Sequence, residues 1–241
     1  MQSGGDHICD LRRDTDGDGK PERLGDYVRI RGIVIAGPST YETGGWLFWL
    51  REGACGILVY GEPEVFALGD SVRVGGWLRR TNGNYFFPET GLATLGDLAV
   101  ENAGASPVGY SRDTAPLAIT ASEFRHRPDA YGGNLIRIPG LRPVSTATDG
   151  NGDAFVRMAC GSDSLLAYFD RDTGLAPDLD GLVCYDLAGI AARMRIPDGL
   201  GPSPQWCIAP RGAGDLARVE CFTGQAATRW GAIKALYGNG K

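Results

Sequence analysis

The sequence predicts an all-β protein made of two tandem small barrels with short connecting and C-terminal helices. Short segments alternate apolar and polar residues, as strands with one buried face do. Glycine contributes 37 of the 241 residues, which supplies turns and strand bends. A stretch near residue 25 also recurs near residue 133, which indicates a duplicated unit. Together these observations favour closed barrels of five strands each.

The repeat sets the predicted domain organisation. Residues Gly25–Gly32, GDYVRIRG, resemble Gly133–Gly140, GNLIRIPG, and weaker matches follow in the same order. A capping box, Thr120 with Glu123, predicts a short helix that ends before Pro128. The predicted units are an N-terminal arm with a metal loop over 1–23, a first barrel over 24–105, a linker helix and second barrel over 106–219, and a docking tail over 220–241.

Alternation in the first copy divides side chains between two faces. The residues predicted to point inward are Val28, Ile30, Phe48, Leu50, Val72 and Val74, and those predicted to point outward are Arg29, Arg31, Arg73, Trp49 and Trp77. Aromatic rings among arginines suit stacking and backbone binding of single-stranded nucleic acid or sugars. They equally suit a domain or subunit interface. The net charge of −5 favours the interface.

The first copy also resembles a known family. Gly25–Gly32, the segments Phe48–Gly53 and Gly56–Tyr60, and Leu68–Val74 resemble bacterial extracytoplasmic OB-fold domains, in which a GD-V-V-G strand precedes an aromatic hairpin. The resemblance covers residues 24–100 well and 118–217 more loosely. It implies two tandem five-stranded OB-fold barrels. Such domains accompany secreted nucleases and cell-surface proteins, so the fold alone does not fix the function.

The strongest chemical motif is an acidic loop near the N-terminus. Residues 14–22, DTDGDGKPE, place carboxylates at positions 1, 3 and 5 and a glycine at position 6. Such oxygen ligands favour Ca²⁺ over Zn²⁺ or Cu²⁺. The loop is similar to the calcium loops of dockerins and thrombospondin type-3 repeats. The candidate ligands are Asp14, Asp16, Asp18, the Lys20 carbonyl, Glu22 and Asp26.

A second turn carries a weaker version of the same pattern. Asp149, Asn151 and Asp153 offer oxygen side chains at alternate positions, but Ala154 stands where a calcium loop has glycine. Asn and Gly also suit an ordinary hairpin turn. Metal binding and a plain turn both remain open here.

Six cysteines form an even set without CxxC spacing, which disfavours a zinc ribbon. They are either buried thiols or disulfides, and we expect disulfides in an oxidising compartment. The expected pairs are Cys184 with Cys207, Cys9 with Cys55, and Cys160 with Cys221, unless Cys221 bridges two molecules.

The C-terminal tail indicates a partner. Trp230, Ile233 and Tyr237 fall on one face of a predicted ten-residue helix, which is marginal alone. This apolar stripe needs a groove on its own barrel or on a neighbouring subunit. Head-to-tail docking of such tails gives a filament unless rotation closes it.

Catalytic motifs are absent from the sequence. It holds no G-x-S-x-G, P-loop, H-E-x-x-H or Rossmann pattern, and only two histidines. No apolar run is long enough to cross a bilayer. We therefore expect a secreted, non-enzymatic, calcium-binding structural protein that self-assembles into an extracellular or cell-surface filament. The alternative is an OB-fold module that binds oligosaccharide or single-stranded nucleic acid. A third interpretation is an accessory domain of a secreted nuclease, against which the missing catalytic motifs count.

Overall fold

A computed structural model describes most of the chain. The described residues are 5–18, 20–37, 40–41, 47–61, 66–82, 95–111, 113–150, 152–175, 179–196 and 204–221. Three predicted features lie outside these ranges: the apolar face of the tail with Trp230, Ile233 and Tyr237, Asn151 of the second turn, and Gly19 of the acidic loop.

The first five strands close into a barrel. These strands are β1 (Tyr27–Ala36), β2 (Leu47–Glu52), β3 (Cys55–Tyr60), β4 (Asp70–Asn82) and β5 (Leu95–Tyr110). They pair in the order β1-β2-β3-β5-β4, and β4 closes the ring on β1. The β3–β5 pair is parallel, whereas the other pairs are antiparallel. The prediction of an all-β, OB-like fold is therefore confirmed.

The second half repeats this circuit of pairings. Its five strands are β7 (Leu135–Thr148), β8 (Ala154–Cys160), β9 (Asp163–Phe169), β10 (Cys184–Met194) and β11 (Gln205–Ala209). Here β9 and β11 are the parallel pair, and β10 returns to β7. Two short strands, β6 (Leu117–Ala118) and β12 (Leu216–Val219), extend this sheet. The two copies of the predicted repeat, Gly25–Gly32 and Gly133–Gly140, thus contain the starts of β1 and β7.

Short helical segments connect these parts. Among the described residues one α-helix, α1, spans Ala121–His126, and 3-10 turns span Ile8–Arg12, Pro128–Tyr131, Arg171–Thr173 and Ala213–Asp215. The predicted capping box is present: Thr120 Oγ1 accepts from the Glu123 amide at 3.1 Å, and Glu123 accepts from the Thr120 amide at 2.7 Å. The first barrel also continues past the predicted boundary at 105. Strand β5 runs to Tyr110, and its pairing with β4 continues through Gly104 and Gly109 to the end of the strand.

Each barrel has its own apolar core, and a third cluster joins the two. In the first barrel the six residues predicted to point inward all lie in the core. The third cluster contains residues of both barrels. Leu47, Trp49 and Leu58 of the first barrel pack there with Phe155 and Leu166 of the second. The two barrels therefore share a buried apolar interface formed by the outer surface of β2 and β3.

Hydrogen bonds reinforce this interface at its edges. The Tyr41 hydroxyl donates to the Ala209 carbonyl at 2.5 Å, and Asn134 Nδ2 donates to the Ala54 carbonyl at 2.7 Å. Arg211 donates to the Ile35 carbonyl at 2.7 Å. Burial of Tyr41 raises the pKa of its phenol well above the usual range, so the phenol keeps its proton.

Arg211 is itself held by Asp215. The two side chains form a paired contact at 2.7 and 2.8 Å, and Asp215 is buried. Removing the carboxylate would leave a largely buried guanidinium without its counter-ion. The pair therefore fixes the arginine that reaches across to the first barrel.

Two glycines allow the barrel backbones to touch. A Cβ atom on Gly56 would lie 2.1 Å from the Gly133 carbonyl oxygen, far inside any real contact. Gly133 also has a φ of 70°, a conformation that favours glycine. Arg12 of the N-terminal arm bridges the same place, donating to the carbonyls of Gly56 at 3.1 Å and Gly132 at 2.6 Å.

Replacing Gly56 with alanine tests this contact. The added methyl group has no room against Gly133, so we expect a loss of about 1–3 kcal/mol and a melting temperature lower by several degrees. Differential scanning calorimetry measures the change. Gly104→Ala is the matched control, because a Cβ there meets nothing within 4 Å. Equal melting temperatures for the two variants would contradict the described interface.

Candidate ligand-binding face

The exposed surface of β1 and β4 carries arginines and aromatic rings. On β1 the side chains of Tyr27, Arg29 and Arg31 alternate with buried residues and face solvent. On β4, Trp77 lies opposite Tyr27, and Arg73 lies opposite Arg31. Directly opposed residues of antiparallel strands share a face. We call these five residues the β1–β4 face.

One end of the β1–β4 face is aromatic. The Tyr27 and Trp77 rings meet edge to face, with centroids 5.2 Å apart and planes at 85°. They remain 46% and 40% exposed, which is high for large aromatic residues. Gly75 makes room for this arrangement, because a Cβ there would lie 2.6 Å from the Tyr27 hydroxyl oxygen. The Arg29 guanidinium lies 5.7 Å from the Tyr27 ring centroid, within cation–π range.

The other end is cationic. Arg31 and Arg73 occupy directly opposed positions, where like charges destabilise a sheet. Arg31 Nε donates to the Ser71 hydroxyl at 3.3 Å, and the Arg73 side chain makes no hydrogen bond or ion pair within the described ranges. Arg79 nearby is neutralised by Glu101 at 3.0 Å. An anion between Arg31 and Arg73 would relieve their repulsion.

An open groove of about 350 Å³ continues from Arg31. Its walls include Ser71, Arg51 and Tyr110, and the Tyr110 ring is 66% exposed. Arg51 is buried and held in place by Asp113 at 3.1 Å and by the Ala115 carbonyl at 2.5 Å. The groove thus extends the β1–β4 face with a further aromatic ring, while Arg51 is already paired with Asp113 and Glu52 adds a carboxylate to the walls.

Trp49 does not belong to this exposed face. It points out of its barrel, as predicted, but only 2% of its surface is accessible because the second barrel covers it. Its ring meets that of Tyr41 edge to face at 5.3 Å. The sequence left two interpretations open for the outward residues, a ligand-binding face and an interface, and different residues fit each of them. Trp49 serves an interface, whereas Arg29, Arg31 and Trp77 remain exposed.

The acidic loop brings three of its candidate ligands together. Carboxylate oxygens of Asp14, Asp16 and Asp18 lie within 4.8 Å of one another, and all three side chains are exposed. Each also accepts a backbone hydrogen bond from within the loop: Asp14 from Gly17 at 2.8 Å, Asp16 from Asp18 at 3.1 Å, and Asp18 from Lys20 at 2.7 Å.

The remaining loop candidates do not join the three aspartate carboxylates, although Glu22 contacts the loop at Thr15. Glu22 accepts hydrogen bonds from the Thr15 hydroxyl and amide, and the hydroxyl bond is the main cause of its lowered pKa. Asp26 pairs with Arg23 at 3.2 Å. Lys20 is exposed. The three aspartates are therefore the convergent set in the described part of the loop.

The Asp149 turn is built differently. Asp153 is 2% exposed and its carboxylate points into the protein, where it accepts from the Tyr168 hydroxyl at 2.8 Å and from the Arg171 amide at 3.1 Å. Asp149 accepts from the Asp153 amide at 3.1 Å. Asp153 thus joins its turn to β9 and the segment that follows it.

Two disulfides are present, and two of the three expected pairings are wrong. Cys9 bonds to Cys55, as expected, with the sulfurs 2.03 Å apart. Cys184 bonds to Cys221, not to Cys207. Strand β12 explains the difference, because it pairs Val219 with Cys184 and so brings Cys221 alongside. The expected Cys160–Cys221 pair and an intermolecular bridge through Cys221 are excluded by the same bond.

Cys160 and Cys207 are free thiols. Cys207 lies opposite Ala192 on β10 and is wholly buried in the shared interface cluster. Burial raises the pKa of the Cys207 thiol, which keeps it protonated and unreactive.

Sequence reasoning missed Tyr27, whereas it placed Arg73 among the residues that point outward. Both follow from signals present in the sequence: Tyr27 keeps the alternation of Arg29 and Arg31, and Arg73 alternates with Val72 and Val74. What the sequence does not contain is the β1–β4 register, which brings the two strands' exposed residues together.

Comparisons with known proteins add no family. No protein-family model matches the chain, and no curated protein does. Among the described residues no helix is long and apolar enough to cross a membrane.

Solved structures resemble the chain only distantly. An Ifi202 HINa domain in complex with 20-base-pair double-stranded DNA is 9% identical, with 80% of this chain and 96% of that chain covered and a TM-score of 0.34. A replication protein A heterotrimer bound to single-stranded DNA is 6% identical, with 89% and 54% covered and a TM-score of 0.32. An aspartyl-tRNA synthetase from Leishmania major is 17% identical, with 45% of this chain and 22% of that chain covered and a TM-score of 0.31. Similarities at this level carry no argument about function.

Proposed function

We propose that this protein is a non-enzymatic binding module that holds single-stranded nucleic acid on the β1–β4 face. The observation that carries the proposal is the direct opposition of Arg31 and Arg73 on adjacent strands, beside Arg29. Cross-strand like charges cost stability without an anion. A phosphate backbone supplies a row of anions that would pair with these arginines. Relief of their mutual repulsion would then contribute to the binding free energy.

The aromatic end supports a nucleic-acid strand in particular. Bases stack on exposed Tyr and Trp rings whatever their identity, and each stacked base contributes about 1–3 kcal/mol. A neutral oligosaccharide would use Tyr27 and Trp77 but would leave the opposed guanidinium groups of Arg31 and Arg73 without an anion. The negative net charge of −5 does not conflict with this, because Arg29, Arg31 and Arg73 lie together on one exposed surface and set its local charge.

The dimensions suit a short strand. The part of β1 along which a nucleic-acid strand would lie runs from Tyr27 to Ile33, where β1 borders the groove. It is about 20 Å long at ~3.3 Å per residue. Sites on single OB folds begin at about 4 nucleotides. The β2–β3 surface, which OB folds commonly use for ligands, is covered here by the second barrel. The β1–β4 face is therefore the exposed alternative on the first barrel.

Fluorescence anisotropy with a labelled single-stranded DNA tests the proposal. Arg73→Gln is expected to weaken binding several-fold and to flatten the salt dependence by ~0.7 in log–log slope, because one phosphate contact is lost. Trp77→Ala is expected to weaken binding about tenfold through lost stacking. The wild-type slope should be about −2 for three phosphate contacts.

Arg142→Gln is the matched control. Arg142 is exposed on β7 and its side chain makes no hydrogen bond or ion pair in the described part of the chain. Its substitution changes the net charge by the same amount. The proposal fails if Arg142→Gln weakens binding as much as Arg73→Gln. It also fails if the wild type binds a neutral oligosaccharide and not DNA.

We also propose that Asp14, Asp16 and Asp18 bind Ca²⁺ and that the ion has a structural role. Three carboxylates within 4.8 Å repel one another, and a hard cation with oxygen preference removes that repulsion. The loop lies in the arm that the Cys9–Cys55 disulfide attaches to β3. An ordered loop would therefore stabilise the arm next to Arg12.

Calcium titration by calorimetry checks this proposal. Asp16→Asn is expected to remove most of the binding heat, and saturating Ca²⁺ should raise the wild-type melting temperature by a few degrees, since ~100 Kd of ligand contributes about 2.7 kcal/mol. Asp10→Asn is the control, because Asp10 pairs with Arg13 at 2.8 Å and lies outside the cluster. Identical titrations for the wild type and Asp16→Asn would refute the site.

The two disulfides are compatible with an oxidising, extracellular location, which we propose for this protein. Self-assembly into a filament remains a prediction. It depends on the tail over 220–241, of which residues 222–241 lie outside the described chain.

A further inference from the structure

A second candidate site lies on the other barrel. A pocket of about 430 Å³ opens between α1 with its following turn and strands β8 to β11. Its lining includes Arg125, Asp129, Arg157, Arg193 and Trp206. The volume falls in the range of small-molecule sites, about 300–1,000 Å³.

Arg193 supplies an unmatched charge in this pocket. Its side chain is half-buried on β10, and it makes no hydrogen bond or ion pair with any residue that the structure describes. A partly desolvated guanidinium without a counter-ion is costly, and a bound anion would offset that cost. Arg125 differs, because Asp163 already pairs with it at 2.8 Å.

Trp206 supplies a fixed ring. It lies directly opposite Arg193 in the β10–β11 register, and its indole nitrogen donates to Asp129 at 3.2 Å. Gly132 lies under the far edge of the ring, where a Cβ would approach Cη2 to 2.6 Å. Asp129 is the one acidic residue that lines the described pocket, and its carboxylate already accepts from the indole. Asp129 and Gly132 thus fix the position of the Trp206 ring, and a fixed aromatic ring is suited to stacking.

We propose that this pocket binds a nucleoside monophosphate. The phosphate would pair with Arg193, for which guanidinium geometry is well suited, and the base would stack on Trp206. A neutral sugar would leave Arg193 unmatched, and a bare phosphate would leave the ring uncovered. The site lies on a different barrel from the β1–β4 face and does not depend on the function proposed for that face.

Titration calorimetry with adenosine monophosphate, adenosine and inorganic phosphate tests the assignment. The full chain is expected to bind the monophosphate at least about tenfold more tightly than either fragment, since both contacts are then made. Arg193→Gln is expected to weaken monophosphate binding about tenfold or more. Trp206→Leu should weaken the monophosphate and adenosine alike, with an unchanged circular-dichroism spectrum as the check on folding.

Two controls fix the location. Arg195→Gln removes an exposed charge two positions along the chain and should leave the affinity within about twofold. Arg73→Gln on the first barrel should also have no effect. Absence of monophosphate binding at about 1 mM, equal binding of inorganic phosphate, or loss of binding in Arg73→Gln or Arg195→Gln would each overturn the proposal.

Discussion

The contact between the two barrels is the constraint on which the rest of the molecule depends. Gly56 and Gly133 bring the backbones together, and Trp49 fills the apolar interface beside them. Because β2 and β3 contribute their outer surface to this interface, the first barrel can offer a ligand only its other surfaces. The exposed arginines and aromatic rings lie on β1 and β4, which the interface leaves open.

The same interface connects features that are distant in sequence. Cys9–Cys55 attaches the arm to β3, and Arg12 on that arm reaches carbonyls of both barrels. The acidic loop follows directly after Arg12 in the chain. A cation in the loop would therefore act on the arm that bridges the barrels, which is consistent with a structural role for the metal. The same arm also contacts β1, because the Asp6 carboxylate accepts from the Arg29 amide at 2.7 Å.

The sequence predicted what depends on local pattern. Period-2 alternation identified Val28 and Ile30 as core residues, and the capping box at Thr120 identified α1. It could not predict pairings that depend on the return of a distant strand. Cys221 reaches Cys184 only because β12 pairs with β10, and four residues are too few to show clear periodicity. Trp49 was placed outside its barrel correctly, but its burial depends on a second unit whose docking no local pattern encodes.

The central claim is that the β1–β4 face binds a strand while the β2–β3 surface remains an interface. Amide and indole NMR shifts of the labelled protein, recorded as single-stranded DNA is added, test both halves at once. The account predicts shifts for residues 27–31 and 73–79, including the Trp77 indole, and a stationary Trp49 indole. Shifts centred on residues 47–60, with Trp49 moving and Trp77 unchanged, would contradict it.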